Sequence, residues 1–174
     1  MTALGAATAS STDEISAGLE KFAAVSNSVG LSYEYATSAL ATVTATTRQS
    51  ADVVGTAFKT LFARIQDLEL GKTLDDGTTL GKYSQALETV GVSIKTADGG
   101  LREMDDILSD LGEKWNSFDA KGNPLISDDA KIALAQTVAG VRQYTQLIAL
   151  MDNWDFMKEN LETARNATGT LNEQ

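Results

Sequence analysis

The segment Asp119–Asn123 carries oxygen-bearing side chains at its first and fifth positions, as the start of a calcium-binding loop does. Such a loop also needs Asp or Asn at its third position, Gly at its sixth and Glu at its twelfth. This sequence has Lys121, Pro124 and Ala130 at those positions. The segment therefore predicts an exposed turn and not a calcium site.

Two pairs of adjacent carboxylates are the next candidates for chemistry. They are Asp105-Asp106 and Asp128-Asp129. Neighbours on a helix point about 100° apart, so the members of each pair cannot converge on one substrate as paired catalytic carboxylates do. Acidic residues at such positions are typical of the first turn of a helix, where they interact favourably with its positive end.

The composition removes most nucleophilic and metal chemistry. The chain has no histidine and no cysteine, which leaves no thiolate, no Cys/His zinc site and no imidazole base. A Ser–Lys pair stays open on composition, but no Ser-x-x-Lys motif stands out, and Asp98-Gly99-Gly100 is too short to hold a phosphate. We predict no catalytic, cofactor-binding or metal-binding residues, no cofactor, and no enzymatic activity.

The charge of the chain is strongly negative. Net charge is −10, and residues 98–129 hold nine acidic residues against three basic ones. Such a surface repels phosphates, so we expect no specific nucleic-acid partner. No run approaches the roughly 20 apolar residues of a membrane span, and residues 1–10 lack the basic start of a signal peptide.

In the first half of the chain, a serine of the N-cap type precedes each of three helical patterns. Ser11 forms a capping box with Glu14, and Ser32 and Ser50 stand before the second and third patterns. Glycines end the first and third helices, and the poor helix formers of residues 44–47 are predicted to end the second. The clearest apolar stripe consists of Val54, Ala57, Phe58, Leu61, Phe62, Ile65 and Leu68.

The second half predicts further helices separated by glycine-containing loops. A fourth helix runs up to Gly91, a fifth stripe extends from Met104 to Phe118, and a sixth helix begins at Ser127, breaks at Gly140 and continues to residue 153. We interpret the stripe aromatics Phe58, Phe62, Trp115 and Tyr144, and Ile132 of the sixth helix, as core residues. After Trp154 the apolar pattern thins.

These elements predict an all-α fold. We expect an irregular multi-helix bundle of about six to seven helices, with a short β-hairpin near residues 92–101. We divide the chain into a flexible lead over 1–10, a helical core domain over 11–165 and a frayed or extended polar tail over 166–174. No internal repeat and no sustained heptad pattern is visible in the sequence.

Several blocks of the chain, in one order, resemble recurrent segments of the tape-measure proteins of bacteriophage tails, in their minor-tail core region. The resemblance extends over roughly Thr12 to Gln174. Tape-measure proteins are much longer, so the resemblance implies that this chain is part of a larger molecule. The blocks are Ser50–Gln66, Leu80–Ile94, Leu101–Trp115 and Ala133–Trp154.

The resemblance implies a structural virion protein that sets tail length during assembly. Such a protein occupies the lumen of the tail tube until genome ejection, after assembly in the host bacterial cytoplasm. It implies tail-tube proteins, tail assembly chaperones, other tape-measure chains and tail-tip or baseplate proteins as partners. Contact with the host envelope during ejection would fall to other regions of the full protein, and the resemblance supplies no catalytic residues. The alternatives are a helical interaction or scaffold module of a secretion or contractile-injection apparatus and, third, an enzyme.

Overall fold

Eight α-helices account for most of residues 11–173, the part of the chain that this computed structural model describes, with side chains through residue 167. The predicted lead over 1–10 lies outside the described residues. Within them the fold is helical and contains no sheet, which confirms the predicted class, although there are eight helices where about six to seven were expected. The helices are α1 (Thr12–Ser28), α2 (Tyr33–Thr47), α3 (Ala51–Glu69), α4 (Leu80–Glu88), α5 (Met104–Trp115), α6 (Asp128–Ala139), α7 (Tyr144–Asp152) and α8 (Trp154–Glu173).

Hydroxyl side chains start five of these helices. Ser11, Ser32, Ser50 and Ser127 each accept a hydrogen bond of 3.2 Å from the backbone N–H three residues on, as the sequence predicts. Thr79 does the same for α4 and was not predicted. The caps satisfy amides that have no partner inside the helix, and thereby fix where each helix begins.

The central element is α2, whose residues 35–44 are all buried. It packs against α1 and α3 from the first half of the chain and against α7 and α8 from the second. The helix ends at Thr47, the last residue of the run 44–47 that the sequence predicts to end it, and Arg48 follows with a φ of 62°. The hydroxyls of Thr46 and Thr47 donate to the carbonyls of Thr42 and Val43, at 2.8 and 2.6 Å, and the helix continues to Thr47. Earlier in the helix, the burial of Thr37, Thr42 and Thr44 outweighs the low helix propensity of threonine.

Two glycines allow α1 and α3 to cross at close range. A Cβ on Gly18 would lie 2.6 Å from the carbonyl oxygen of Ala51, and one on Gly55 would collide with the carbonyl of Gly18. The contact brings Phe22 of α1 against two rings of α3, with centroid distances of 5.4 Å and 6.2 Å. Those rings belong to Phe58 and Phe62. The bare backbones thus set the depth at which the aromatic cluster packs.

The predicted hairpin near 92–101 reduces to one antiparallel bridge, between Lys95 and Leu101. A matching bridge joins Phe118 and Pro124 on the other side of α5. In each loop the residue after the first bridge position donates its N–H to the residue before the second, at 2.7 Å. The two loops therefore repeat one backbone geometry without a visible sequence repeat, and neither is long enough to form a sheet.

The remaining corrections concern residues at the surface and at the C-terminal end. Phe118 lies beyond α5 and is 66% exposed, Ile132 is 43% exposed, and Tyr144 is only partly buried. The helix that the thinning pattern hid is α8, which reaches Glu173. From residue 166 to Glu173 the backbone of the predicted tail is thus helical and not extended, while the division of the chain into domains stays a prediction.

Candidate functional site

The loop carboxylates considered for metal or phosphate sites accept hydrogen bonds from their own loops. Asp119 accepts the N–H groups of Lys121 and Asn123, both at 2.9 Å. Asp98 accepts the hydroxyl of Thr96 and the N–H of Gly100, and these hydrogen bonds lower its pKa. Within residues 11–173, no group of three or more acidic, histidine or cysteine side chains could hold a metal ion.

The adjacent carboxylate pairs also have local roles. Asp105 accepts the N–H of Ser32 at 2.9 Å, which joins the start of α5 to the start of α2. Burial raises the pKa of this carboxyl, while the hydrogen bond from Ser32 works in the opposite direction. Asp128 and Asp129 lie in the first turn of α6 and are exposed. The structure therefore brings neither pair together with a second catalytic group.

A surface groove of about 640 Å³ lies at the turn between α2 and α3. Charges of both signs line it, from Glu14, Arg48 and Asp52. The one serine in its lining, Ser50, uses its hydroxyl to cap α3. A hydroxyl in this position accepts a backbone hydrogen bond and has no adjacent base, so it offers no activated nucleophile.

The junction between α7 and α8 has a more specific construction, which we call the kink (residues 151–154). Asn153 has φ −108° and ψ 36°, outside the α-helical range. Its N–H nevertheless donates to the carbonyl of Ala149 at 3.2 Å, and its own carbonyl accepts from Met157 at 2.9 Å. These are i to i−4 bonds of the α-helical type, so Asn153 is bonded both to the last turn of α7 and to the first turn of α8.

The C-terminal end of α5 holds the kink through four residues, which we call the α5 clamp: Gly112, Glu113, Trp115 and Asn116. Two of them bind the α7 side of the bend. The indole N–H of Trp115 donates to the Asp152 carboxylate at 2.8 Å. The amide of Asn116 donates to the Met151 carbonyl at 2.9 Å, a group at the bend itself. These two directional bonds hold the end of α7 against α5.

The other two clamp residues bind the α8 side. The Trp154 ring, which is 3% exposed, packs so closely on Gly112 that a Cβ there would overlap it. The Trp154 indole N–H donates to Glu113 at 3.2 Å, and Glu113 also pairs with Lys158 at 3.0 Å. This pairing with Glu113 raises the pKa of the Lys158 ammonium. Gly112 is needed here for a close approach, which its helical position alone did not reveal.

Beyond the kink, α8 lies on α2 along a seam that contains a buried polar pair. The Asn160 amide, in a residue 1% exposed, donates to the Thr42 hydroxyl at 2.9 Å. That hydroxyl donates in turn to the Ser38 carbonyl at 2.7 Å and lies 3.7 Å from the Met157 sulfur. Sequence reading missed this seam because two of its residues are polar and so interrupt the apolar stripe that marks a helix face.

Within residues 11–167, whose side chains are described, the helices make packing contacts and hydrogen bonds with one another and no catalytic group is assembled. Among the described residues, none of the helices combines the length and apolar character that a membrane crossing requires. No solved structure matches the chain. Residues 1–140, which include α1 to α6, match the family model described as phage-related minor tail protein. Because the match covers more than half of the sequence, the chain belongs to the family of phage-related minor tail proteins.

Proposed function

We propose that this tail protein is a segment of the tape measure that sets tail length, with a structural and not an enzymatic role. The observation that carries the proposal is an all-helical fold, in a member of a phage minor tail family, whose sequence blocks resemble tape-measure proteins. A helix advances about 1.5 Å per residue, so a chain of helices converts residue number into length at a constant rate.

We propose that such a segment exists in two forms. Its helices end at glycines with positive φ, such as Gly30, Gly71 and Gly91, and pack into a shared core. This packed form suits the protein outside the tube. Inside the tube we propose that the helices separate, since a folded bundle has no fixed relation between residue number and length. The stripes exposed in this way require cover by the tube wall, by assembly chaperones or by other tape-measure chains.

The proposed location is the lumen of the tail tube in the virion, with the host cytoplasm as the place of assembly. Tail-tube and tail-tip or baseplate proteins are the proposed partners along the tube and at its end. The net charge of −10 supports a role without specific nucleic-acid binding, because such a surface repels phosphates. The same repulsion would ease the passage of DNA past the protein at ejection.

Changing the length of the segment in the phage tests the proposal. Deleting residues 128–153, which form α6 and α7, should shorten tails by about 39 Å at 1.5 Å per residue. Duplicating the same residues should lengthen tails by an equal amount. Tail length is measured on electron micrographs of purified particles. The exposed substitution Ile132→Ser serves as a control that keeps the residue number unchanged.

Tails of unchanged length in both variants would contradict the tape-measure role and favour a scaffold module. The packed form is tested separately by hydrogen exchange on the isolated chain. Amides in α3 and α5 should be strongly protected, because these helices supply much of the buried core. Uniform lack of protection there would exclude the packed form and leave the length experiment unaffected.

A further inference from the structure

The kink between α7 and α8 points to an interaction between two chains that is separate from any role in tail length. We propose that two copies of this chain exchange α8, with Asn153 as the hinge, so that α8 of one copy packs on α2 of the other. The partner in this interaction is a second copy of the same chain. The proposal rests on the contacts of the kink, the α5 clamp and the α2–α8 seam.

The bend between α7 and α8 depends on the conformation of very few residues. Hydrogen bonds of the i to i−4 type continue on both sides of Asn153. Moving its φ and ψ from −108° and 36° to helical values joins α7 and α8 into one helix, Tyr144–Glu173. Such a helix would be about 45 Å long at 1.5 Å per residue. Straightening therefore breaks no backbone helix and carries α8 away from its own α2.

The face of α2 that α8 covers is complementary to α8 in its side chains. Once α8 has left, α2 exposes a row of small and apolar side chains with the Thr42 hydroxyl among them. The side chain that fits this position is Asn160, which is buried in the packed form and donates to Thr42. An unrelated apolar helix would leave the Thr42 hydroxyl with the Ser38 carbonyl as its partner and would lose the bond that Asn160 donates to it. A second copy supplies the matching helix with Met157, Asn160 and Leu161 on one face.

Exchange of α8 preserves the contacts of the α5 clamp. The Trp115–Asp152 and Asn116–Met151 bonds lie on the α7 side and stay within one chain. Trp154 and Lys158 move with α8 and meet the same clamp residues, Gly112 and Glu113, on the second copy. The closed and exchanged forms then differ mainly at the hinge and in the entropy of association. This is the condition under which exchange of an element becomes accessible.

Changing the hinge residue tests the proposal. Asn153→Ala favours helical geometry at the hinge and should raise the dimerisation constant by about tenfold, a factor of about three for each of two hinges. Asn153→Gly is the matched control, because glycine disfavours the straight helix and should leave the chain no more dimeric than the parent. Mass is measured by light scattering during size-exclusion chromatography over a range of protein concentrations.

Crosslinking then distinguishes exchange from simple association. The chain contains no cysteine, so Glu113→Cys with Lys158→Cys introduces one pair of thiols at an exposed ion pair. A short bis-maleimide should join the two positions within a chain in the monomer peak and between chains in the dimer peak. Denaturing electrophoresis of the dimer peak therefore gives a covalent dimer if α8 is exchanged. A covalently closed monomer from that peak would overturn the proposal.

If the Asn153→Ala variant does not fold, a second measurement still tests the proposal. The double-cysteine chain with Asn153 intact is refolded from urea at high concentration, which favours exchange over self-closure, and its dimer fraction is crosslinked. Covalent dimers support the proposal. Refolding that yields only monomers with internal crosslinks, at concentrations up to about 1 mM, contradicts it. Neither result depends on the role of the protein in tail length.

Discussion

Glu69 is the last residue of α3, and it lies half-buried near Glu103, the residue that precedes α5. Burial, and after it the nearby carboxylate of Glu103, raise the pKa of its carboxyl to about 7. A negative charge at the C-terminal end of a helix is also unfavourable. Tyr83 of α4, whose pKa is raised by burial and then by Glu69, completes the group. An ionised Glu69 therefore destabilises the fold.

This arrangement makes stability depend on pH. The pKa of Glu69 is about 7 in the folded chain and near its ordinary value of 4.5 in the unfolded chain, so the folded state binds more protons between these values. Its contribution to stability is full below about pH 4.5 and falls as pH rises to about 7. Glu69→Gln should therefore raise the free energy of unfolding at pH 8 by about 1–2 kcal/mol, after allowance for solvent screening.

Urea unfolding of both chains at pH 5 and pH 8 measures the effect. Glu159→Gln, on the exposed side of α8, removes a charge of the same sign and should change little at either pH. A Glu69→Gln variant that is less stable than the parent at pH 8 would show that the carboxylate has a favourable partner.

Glycines illustrate what could be predicted at the residue scale. Gly30, Gly71 and Gly91 end helices with positive φ, and the sequence identified them because each follows an apolar periodic pattern. Gly55 and Gly112 lie inside helices, where the need for a bare backbone depends on which helix crosses there. That information is contained in the packing and not in the local sequence.

At the scale of elements, the buried polar seam between α2 and α8 contributes to the stability of the fold. Thr42→Val removes the acceptor of Asn160 and leaves a buried amide unpaired, so it should lower the free energy of unfolding by about 1–3 kcal/mol. The double variant with Asn160→Leu replaces both polar groups by apolar ones and should recover most of that loss. Thermal and urea unfolding of the parent, both single variants and the double variant give the coupling energy. Additive losses would show that the two side chains do not interact.

The seam also explains why one helix was missed in the sequence. Capped helices with continuous stripes, such as α3, could be recognised because their inner faces are apolar at helical spacing. The inner face of α8 carries Asn160 and Ala164 between larger residues, so its pattern thins although the helix packs closely. The candidate site shares this limit. The α5 clamp joins residues about 40 positions apart, and no spacing within α5 or α8 points to the pairing.

At the scale of the whole molecule, α2 links the two halves of the chain. It packs on α1 and α3 on one side and on α7 and α8 on the other. Its residues 35–44 are buried, so neither half can leave without exposing it. The proposed single core domain over residues 11–165 thus implies that both halves unfold together.

The positions of the two tryptophans allow a direct test of this cooperativity. Trp115 and Trp154 both lie in the second half, whereas Phe22 lies in α1 and packs on α3. Phe22→Leu should lower the free energy of unfolding by about 1 kcal/mol, the usual scale for a smaller core side chain. In a single cooperative domain, tryptophan fluorescence and far-ultraviolet circular dichroism should report the same decrease in the urea midpoint. If the halves were independent, the fluorescence midpoint would stay at the parent value while the dichroism curve split into two transitions.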